Sequence, residues 1–463
     1  MSVRNPTESL ANYVCNASDV DFPALARSRA VDAIIDCAAC MLAGTREPLA
    51  DKLIQVLATD TNALYGRSIL VGKNRYASAS DAALYNGAIA HALDYDDTNH
   101  PGYAHVSAVV VPAMFAVIDK AKVTGRDLVT AFILGLEVIG KLGRALNPSH
   151  MKGGWHPTST FGSLAAAVVA GRLMRLNERE MATALGIAAC ATGGLRASFG
   201  TMVKPLQAGY AARNGVLAAM LAKQGFTAPE SVIEHKYGFC NVFTPGGCDF
   251  NELLSWGDPL EIATDYGLAL KPYPSCGATH PGIEAALMLR DQIKNEPIES
   301  VRAGVSELAF EPLIYVQPKA PLEGKFSLHY CVAAALTHGV VNLATFTEEV
   351  FSDPDIHNLI PKIKMEADDR VRDDPEFATV ISVETQSNKR YESLVPLALG
   401  KPLRWFSEQR LFEKFSDCAQ SALGKQQCMN AFTKLRALDS DTSAQALLAE
   451  LGGGMPIAAF ANP

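Results

Sequence analysis

Alanine and glycine recur at helical spacing through the first 266 residues, and no other feature narrows the fold of this chain as much. Asp81 to Leu93 reads DAALYNGAIAHAL, with apolar residues three and four apart; Gly125 to Leu146 reads GRDLVTAFILGLEVIGKLGRAL, a long helix with one buried stripe. Phe161 to Leu176 is rich in Ala and Val. Asn177 opens a further helix, because Glu180 stands where a carboxylate reaches back to the cap amide. Pro205 suits the first turn of another helix and Gly225 its end. Helices with so little side-chain bulk pack closely, so this part of the chain predicts a helical domain.

Near residue 266 the texture changes. Val301 to Val316 and Ala378 to Gln386 alternate like half-buried strands, and Lys362 to Val371 reads as another. Helices are predicted over Pro281 to Lys294 and Tyr330 to Asn342, and after Pro396 the sequence returns to charged, helical text. The expected architecture is mainly α with an inserted α+β domain. A large all-helical domain takes 1–266 and 396–463, and a smaller α+β lid domain takes 267–395.

Hydrophobic residues make up 48% and charged residues 19%, which supports a sizeable core and argues against disorder. The net charge of −8 makes a nucleic-acid partner unfavourable, although basic residues in one pocket can still bind an anion. The N-terminal residues read as neither a signal nor a transit peptide. The longest apolar run, near Ala108 to Ile118, is far short of the ~20 residues of a membrane span. A cytoplasmic location with no membrane partner is therefore expected. Cys37 and Cys40 form a lone CxxC inside an apolar helix and read as core, and the other cysteines lack the clustering that an iron–sulfur centre needs.

Five segments carry the candidate chemistry. The densest is HALDYDDTNHPGYAH, His91 to His105, with Asp94, Asp96, Asp97, Thr98, His100 and His105 between two helices. Carboxylates this close repel one another and need partners. In GGWHPTST, His156 precedes Pro157 at a helix start, where the hydroxyls of Thr158, Ser159 and Thr160 would favour an anion. Lys204 stands before Pro205 at another helix start, opposing the dipole in a way a bound carboxylate would relieve. LKPYPSCGATHPGIEAAL holds Lys271, Cys276, Thr279 and His280, and GKFSLHYCVAAAL holds Ser327, His329 and Tyr330. Together these groups suggest one pocket with several cations and imidazoles, two of which could serve as general acid and base. No GxSxG, P-loop or GxGxxG is present, so serine-hydrolase and nucleotide readings lack support.

Over nearly the whole chain the segments NGAIAHALDYDDTNH, GWHPTSTFGSLAAA, FGTMVKPLQAGYAARNGVLAA, KPYPSCGATHPGIEAAL, KFSLHYCVAAAL and FEKFSDCA resemble the MmgE/PrpD family. That family includes 2-methylcitrate dehydratases, cis-aconitate decarboxylases and iminodisuccinate epimerases. The resemblance implies a homodimer acting on a small polycarboxylate with no metal and no cofactor. It also implies that His105, His156, Asp94 and Tyr330 are catalytic, and that Thr98, Lys204, Lys271, Cys276 and His280 bind substrate. Cys276 stands where the family's decarboxylases place a histidine. The expected activity is a lyase, a dehydratase or decarboxylase, working by acid–base chemistry beside a carboxylate. An epimerase of an iminodisuccinate-like dicarboxylate is the first alternative. A metal-dependent hydrolase built on Asp94, Asp96, His100 and His105 is the second.

Overall fold

The computed structural model describes residues 5–59, 61, 67–119, 122–245, 247–294 and 296–452. The chain's first four residues and the end of the expected helical domain, 453–463, lie outside the described residues. Residues up to 270, with those from 407, form one compact unit; residues 271–406 form a second.

The first unit is built from helices whose small residues set how closely they approach. Its main members are α1 (Ala24–Gly44), α2 (Ala79–His91), α3 (Ser107–Phe115), α4 (Gly125–Leu146), α5 (Pro157–Leu173), α6 (Glu178–Ala191) and α7 (Val203–Lys223). Helix α7 packs against both α2 and α5. A β-carbon on Gly209 of α7 would lie 2.3 Å from the carbonyl oxygen of Leu84 in α2, and one on Gly215 would lie 2.3 Å from the Ala166 methyl in α5. Only glycine allows contact this close. The first crossing falls about two turns before the end of α2 and about a turn and a half after Lys204, so the end of α2 lies toward the start of α7. The second falls nine residues after the start of α5 and twelve after that of α7, which leaves those two starts within about a turn of each other.

The helix ends follow local chemistry. Asn177 Oδ1 accepts from the Glu180 amide at 2.9 Å while Glu180 returns a carboxylate oxygen to the Asn177 amide at 3.0 Å. Gly225 closes the turn after α7 in a left-handed conformation, φ +80°. Cys37 and Cys40 are fully buried in α1, as their apolar flanks imply. The C-terminal helices Glu408–Leu423 and Lys425–Arg436 pack on α1. Among the described residues no helix is long and apolar enough to cross a membrane.

The second unit holds a four-stranded sheet of β1 (Ile298–Val305), β2 (Ile363–Ala367), β3 (Thr379–Thr385) and β4 (Arg390–Val395) in the order β2-β1-β3-β4. Strand β2 runs parallel to β1 and the other pairs are antiparallel. One face, with Val301, Ala303, Ile381 and Val383, is buried beneath helices His280–Ile293 and Leu328–His338. The other face is polar, and Arg302 bridges it to Asp368 at 2.8 Å. The strand expected over 301–316 stops at Val305, where a 3₁₀ turn, Glu307–Phe310, replaces it. Pro312 offers no amide to a ladder. This unit continues past the expected boundary of 395 because Arg404 ties back to Glu284 at 2.6 Å.

Candidate functional site

His91 is the last residue of α2, and the loop that follows turns at once. Asp94 takes a left-handed backbone, φ +56°, which a short polar residue tolerates. Farther on, Asp97 accepts the Ser107 amide at 3.0 Å and also binds the Ser107 hydroxyl, which fastens the loop to the start of α3. Asn99 takes the Gly102 amide at 2.7 Å and gives its own side-chain N–H to Gly267. With its ends anchored, the loop presents Asp94, Asp96 and His105 from fixed positions.

Asp96 is the centre of the cluster. It is fully buried between two imidazoles. His91 Nδ1 lies 2.9 Å from Asp96 Oδ2 and 3.0 Å from Oδ1. His105 Nδ1 lies 3.1 Å from Asp96 Oδ2, near but not aligned as a hydrogen bond. The two rings are 4.3 Å apart. Burial pushes His91 down to about 4, so the ring is neutral at neutral pH and donates its Nδ1–H to Asp96. The Asp96 carboxyl is held well below the usual range by the flanking imidazoles, which outweigh its own burial. His91 Nε2 is buried without a hydrogen-bond partner among the described residues.

The rim is formed by the starts of α5 and α7. Lys204 Nζ bonds Asp94 Oδ1 at 2.7 Å and lies 5.3 Å from the centre of the Phe199 ring. His105 Nε2 is 3.8 Å from that same Asp94 oxygen. His156 caps α5 from an extended backbone, with Pro157 as the first helical residue. Its Nδ1 lies 2.6 Å from Gln207 Oε1, and Gln207 in turn donates to Ser198 Oγ at 3.0 Å. The His156 ring stacks 6.2 Å from His91, and burial holds it well below the usual histidine range. A neutral histidine, a carboxylate-bound histidine pair and an ammonium therefore share one end of the first unit. The set can hold an anion and can exchange a proton with it.

Several sequence expectations need correction. Thr158, Ser159 and Thr160 do not offer an open anion site. Thr158 Oγ1 accepts the His105 amide at 3.1 Å, Thr160 Oγ1 meets His150 Nε2 at 2.8 Å, and all three residues are buried. Thr98 is positioned by backbone pairing with Ala269. The expected metal set of Asp94, Asp96, His100 and His105 is not assembled. His100 packs its ring 5.8 Å from Tyr103 and 5.6 Å from Tyr266, while Asp94 pairs with Lys204. The trio with metal-like spacing among the described residues is His91, Asp96 and His105, whose ligand atoms all lie within 4.8 Å of one another.

Lys271, Cys276, His280 and Tyr330 belong to the second unit. Lys271 is buried, Cys276 is half-buried at the start of a 3₁₀ turn, and His280 Nε2 lies 3.1 Å from the Ser275 carbonyl. Tyr330 does not present a free hydroxyl as its expected catalytic role would need. It is fully buried, its hydroxyl donates to the Thr345 carbonyl at 2.5 Å, and burial raises its pKa. The sequence reading missed His91, Asp96 as the central group, Gln207 and Phe199. A histidine closing an otherwise apolar helix, five residues before an aspartate, was the available signal for the first two.

The MmgE/PrpD N-terminal domain signature matches residues 8–251, and the MmgE/PrpD C-terminal domain signature matches residues 273–436. The chain is 27% identical over 481 aligned residues to a cis-aconitate decarboxylase-like protein of Aspergillus oryzae, covering 97% of this chain and 98% of that relative. It is 30% identical over 388 residues to a cis-aconitate decarboxylase of Aspergillus terreus, covering 77% of each. It is also 30% identical over 304 residues to the Homo sapiens cis-aconitate decarboxylase, covering 62% of this chain and 61% of that one. With both domain signatures in order along the sequence, the chain belongs to the MmgE/PrpD family.

Proposed function

We propose that this enzyme is a carboxy-lyase that releases carbon dioxide from a small unsaturated polycarboxylate of the cis-aconitate type, with its own side chains supplying the acid–base chemistry. The observation that carries the proposal is Asp96, a buried carboxylate set against both His91 and His105 at one end of the Lys204–Asp94 pair. Asp96 favours the tautomer in which His105 Nδ1 carries hydrogen, which leaves Nε2 as the atom that exchanges a proton with substrate. Neutral His91 fixes Asp96 without adding charge. Lys204 exchanges its Asp94 contact for a substrate carboxylate. As the bond to the departing carboxylate breaks, its electron pair passes into the carbon framework. Protonated His105 then delivers its proton to that carbon.

A dehydratase uses the same proton-moving groups, and so does an epimerase, which returns the proton to the opposite face. The relatives named for decarboxylation favour carbon dioxide loss, while Cys276 marks a departure from the decarboxylase pattern. The deciding experiment is incubation with cis-aconitate, citrate, 2-methylcitrate and iminodisuccinate in heavy water, read by NMR. Loss of carbon dioxide with deuterium incorporated into the product is expected from cis-aconitate. Water loss alone, or deuterium exchange with carbon retained, would overturn that choice. His105→Ala is expected to lower turnover ~10²–10⁴-fold while the melting curve stays close to wild type. Full activity in that variant would end the proposed role of His105. A cation held by His91, Asp96 and His105 is the rival reading suggested by their spacing. It predicts stoichiometric metal in the purified protein and loss of activity on chelation.

A further inference from the structure

Behind the loop that carries Asp96 lies a second buried ionic group. Lys414, in the C-terminal helix Glu408–Leu423, is 1% exposed, and so is Asp36 in α1. Lys414 Nζ lies 2.6 Å from Asp36 Oδ1. It also donates to the backbone carbonyl of Tyr95 at 2.8 Å and sits 4.0 Å from the centre of the Tyr95 ring. Burying such a pair costs more desolvation than an apolar pair of equal volume, so stability alone does not explain it. What an apolar pair could not do is grip a carbonyl. The gripped carbonyl belongs to the residue immediately before Asp96, and it shares one rigid planar peptide unit with the Asp96 amide nitrogen and Cα.

We infer that Lys414, held by Asp36, is a positioning residue that sets where Asp96 stands between His91 and His105. The ammonium fixes the Tyr95–Asp96 peptide from behind, as Asp97 fixes the far side of the loop to α3. Lys414 also supplies the positive charge paired with Asp36, a carboxylate close enough to Asp96 for the two to repel. Its consequence for turnover rests on the proposed proton transfer by His105. Its consequence for geometry does not.

The test replaces both charges at once, in Asp36→Leu/Lys414→Met, so that neither partner is left buried and alone. The readouts are the Nδ1–H resonance of His91 in nitrogen-15 histidine-labelled protein, and kcat and KM with the substrate found above. The expected result is a folded protein whose His91 resonance shifts or broadens, with kcat lowered about tenfold to a hundredfold and KM within about twofold, the signature of a displaced catalytic group. A wild-type resonance together with wild-type kcat overturns the inference and leaves the pair a packing element. Should the double variant fail to fold, Lys414→Arg keeps the charge and moves only the donors. The same resonance shift and a lower kcat are expected there, and wild-type values for both overturn the inference. A shifted resonance with unchanged kcat would instead count against the role of His105 and leave the positioning of Asp96 standing.

Discussion

At the scale of single residues, burial decides which polar groups can work. Lys204 keeps a side chain that is 15% exposed and is paired with an equally accessible carboxylate, so an incoming anion can compete for it. Lys204→Met is expected to raise KM by about tenfold or more, with a smaller change in kcat, since a charge-assisted hydrogen bond is worth ~1.5–3 kcal/mol. Steady-state kinetics check this, and an unchanged KM would remove Lys204 from the binding step. Tyr330 is the opposite case, because its hydroxyl is consumed by Thr345 inside a closed core. Tyr330→Phe is expected to cost about 1 kcal/mol in denaturant unfolding and to leave kcat within about twofold. Residue identity alone could not separate these two. The sequence shows a tyrosine and a lysine near helix starts, and only the packing around each tells which one meets a ligand. His91 opens the candidate segment but drew no role of its own, because only the fold shows that its Nδ1 faces the carboxylate that organises the loop.

At the scale of elements, the site depends on two helix crossings built from glycine. Gly209→Ala forces a methyl against the Leu84 carbonyl oxygen at 2.3 Å, so α2 and α7 must separate. The expected cost is ~1–3 kcal/mol in urea unfolding, with a fall in kcat as Lys204 moves away from the loop after α2. An unchanged midpoint would show that the crossing can relax freely. Long periodic helices were the most legible part of the chain. Gly125–Leu146 matches its predicted range, because a continuous apolar stripe admits little else. Capping residues were also readable, since Asn177 and Glu180 act locally. Strand β4 was not foreseen. RYESLV is an edge strand with only Val395 buried, and it follows a turn whose Asn388 has φ +61°, so no apolar alternation announces it. The site was legible as a list of segments but not as a geometry, because the contacts of Lys204 with Asp94 and of Gln207 with His156 join elements far apart in sequence.

At the scale of the molecule, buried titratable groups pull stability in opposite directions. Burial pushes His91 and His150 down to about 4, and His156 and His329 downward as well. Between about pH 6.5 and 4 the unfolded chain binds protons these rings refuse, so their contribution falls as pH falls. Asp36 is raised to about 6, and Asp97 and Glu137 to about 7. Between about pH 4 and 7 the folded chain holds protons that the unfolded chain has lost, so their contribution falls as pH rises. The opposing slopes predict a melting temperature that varies little between about pH 5 and 7. Asp97→Asn removes one descending contribution, so its melting temperature should rise relative to wild type as pH goes from about 4 to 7 and then level off. A pH-independent difference between the two proteins would contradict that assignment. The placement of Lys414 has its own consequence for how the protein is made. Asp36 precedes the whole second unit in the sequence, whereas the cation that meets it follows that unit. During translation Asp36 must therefore wait for its partner until residues 271–406 have been made, and the Asp96 loop gains its rear support only after that.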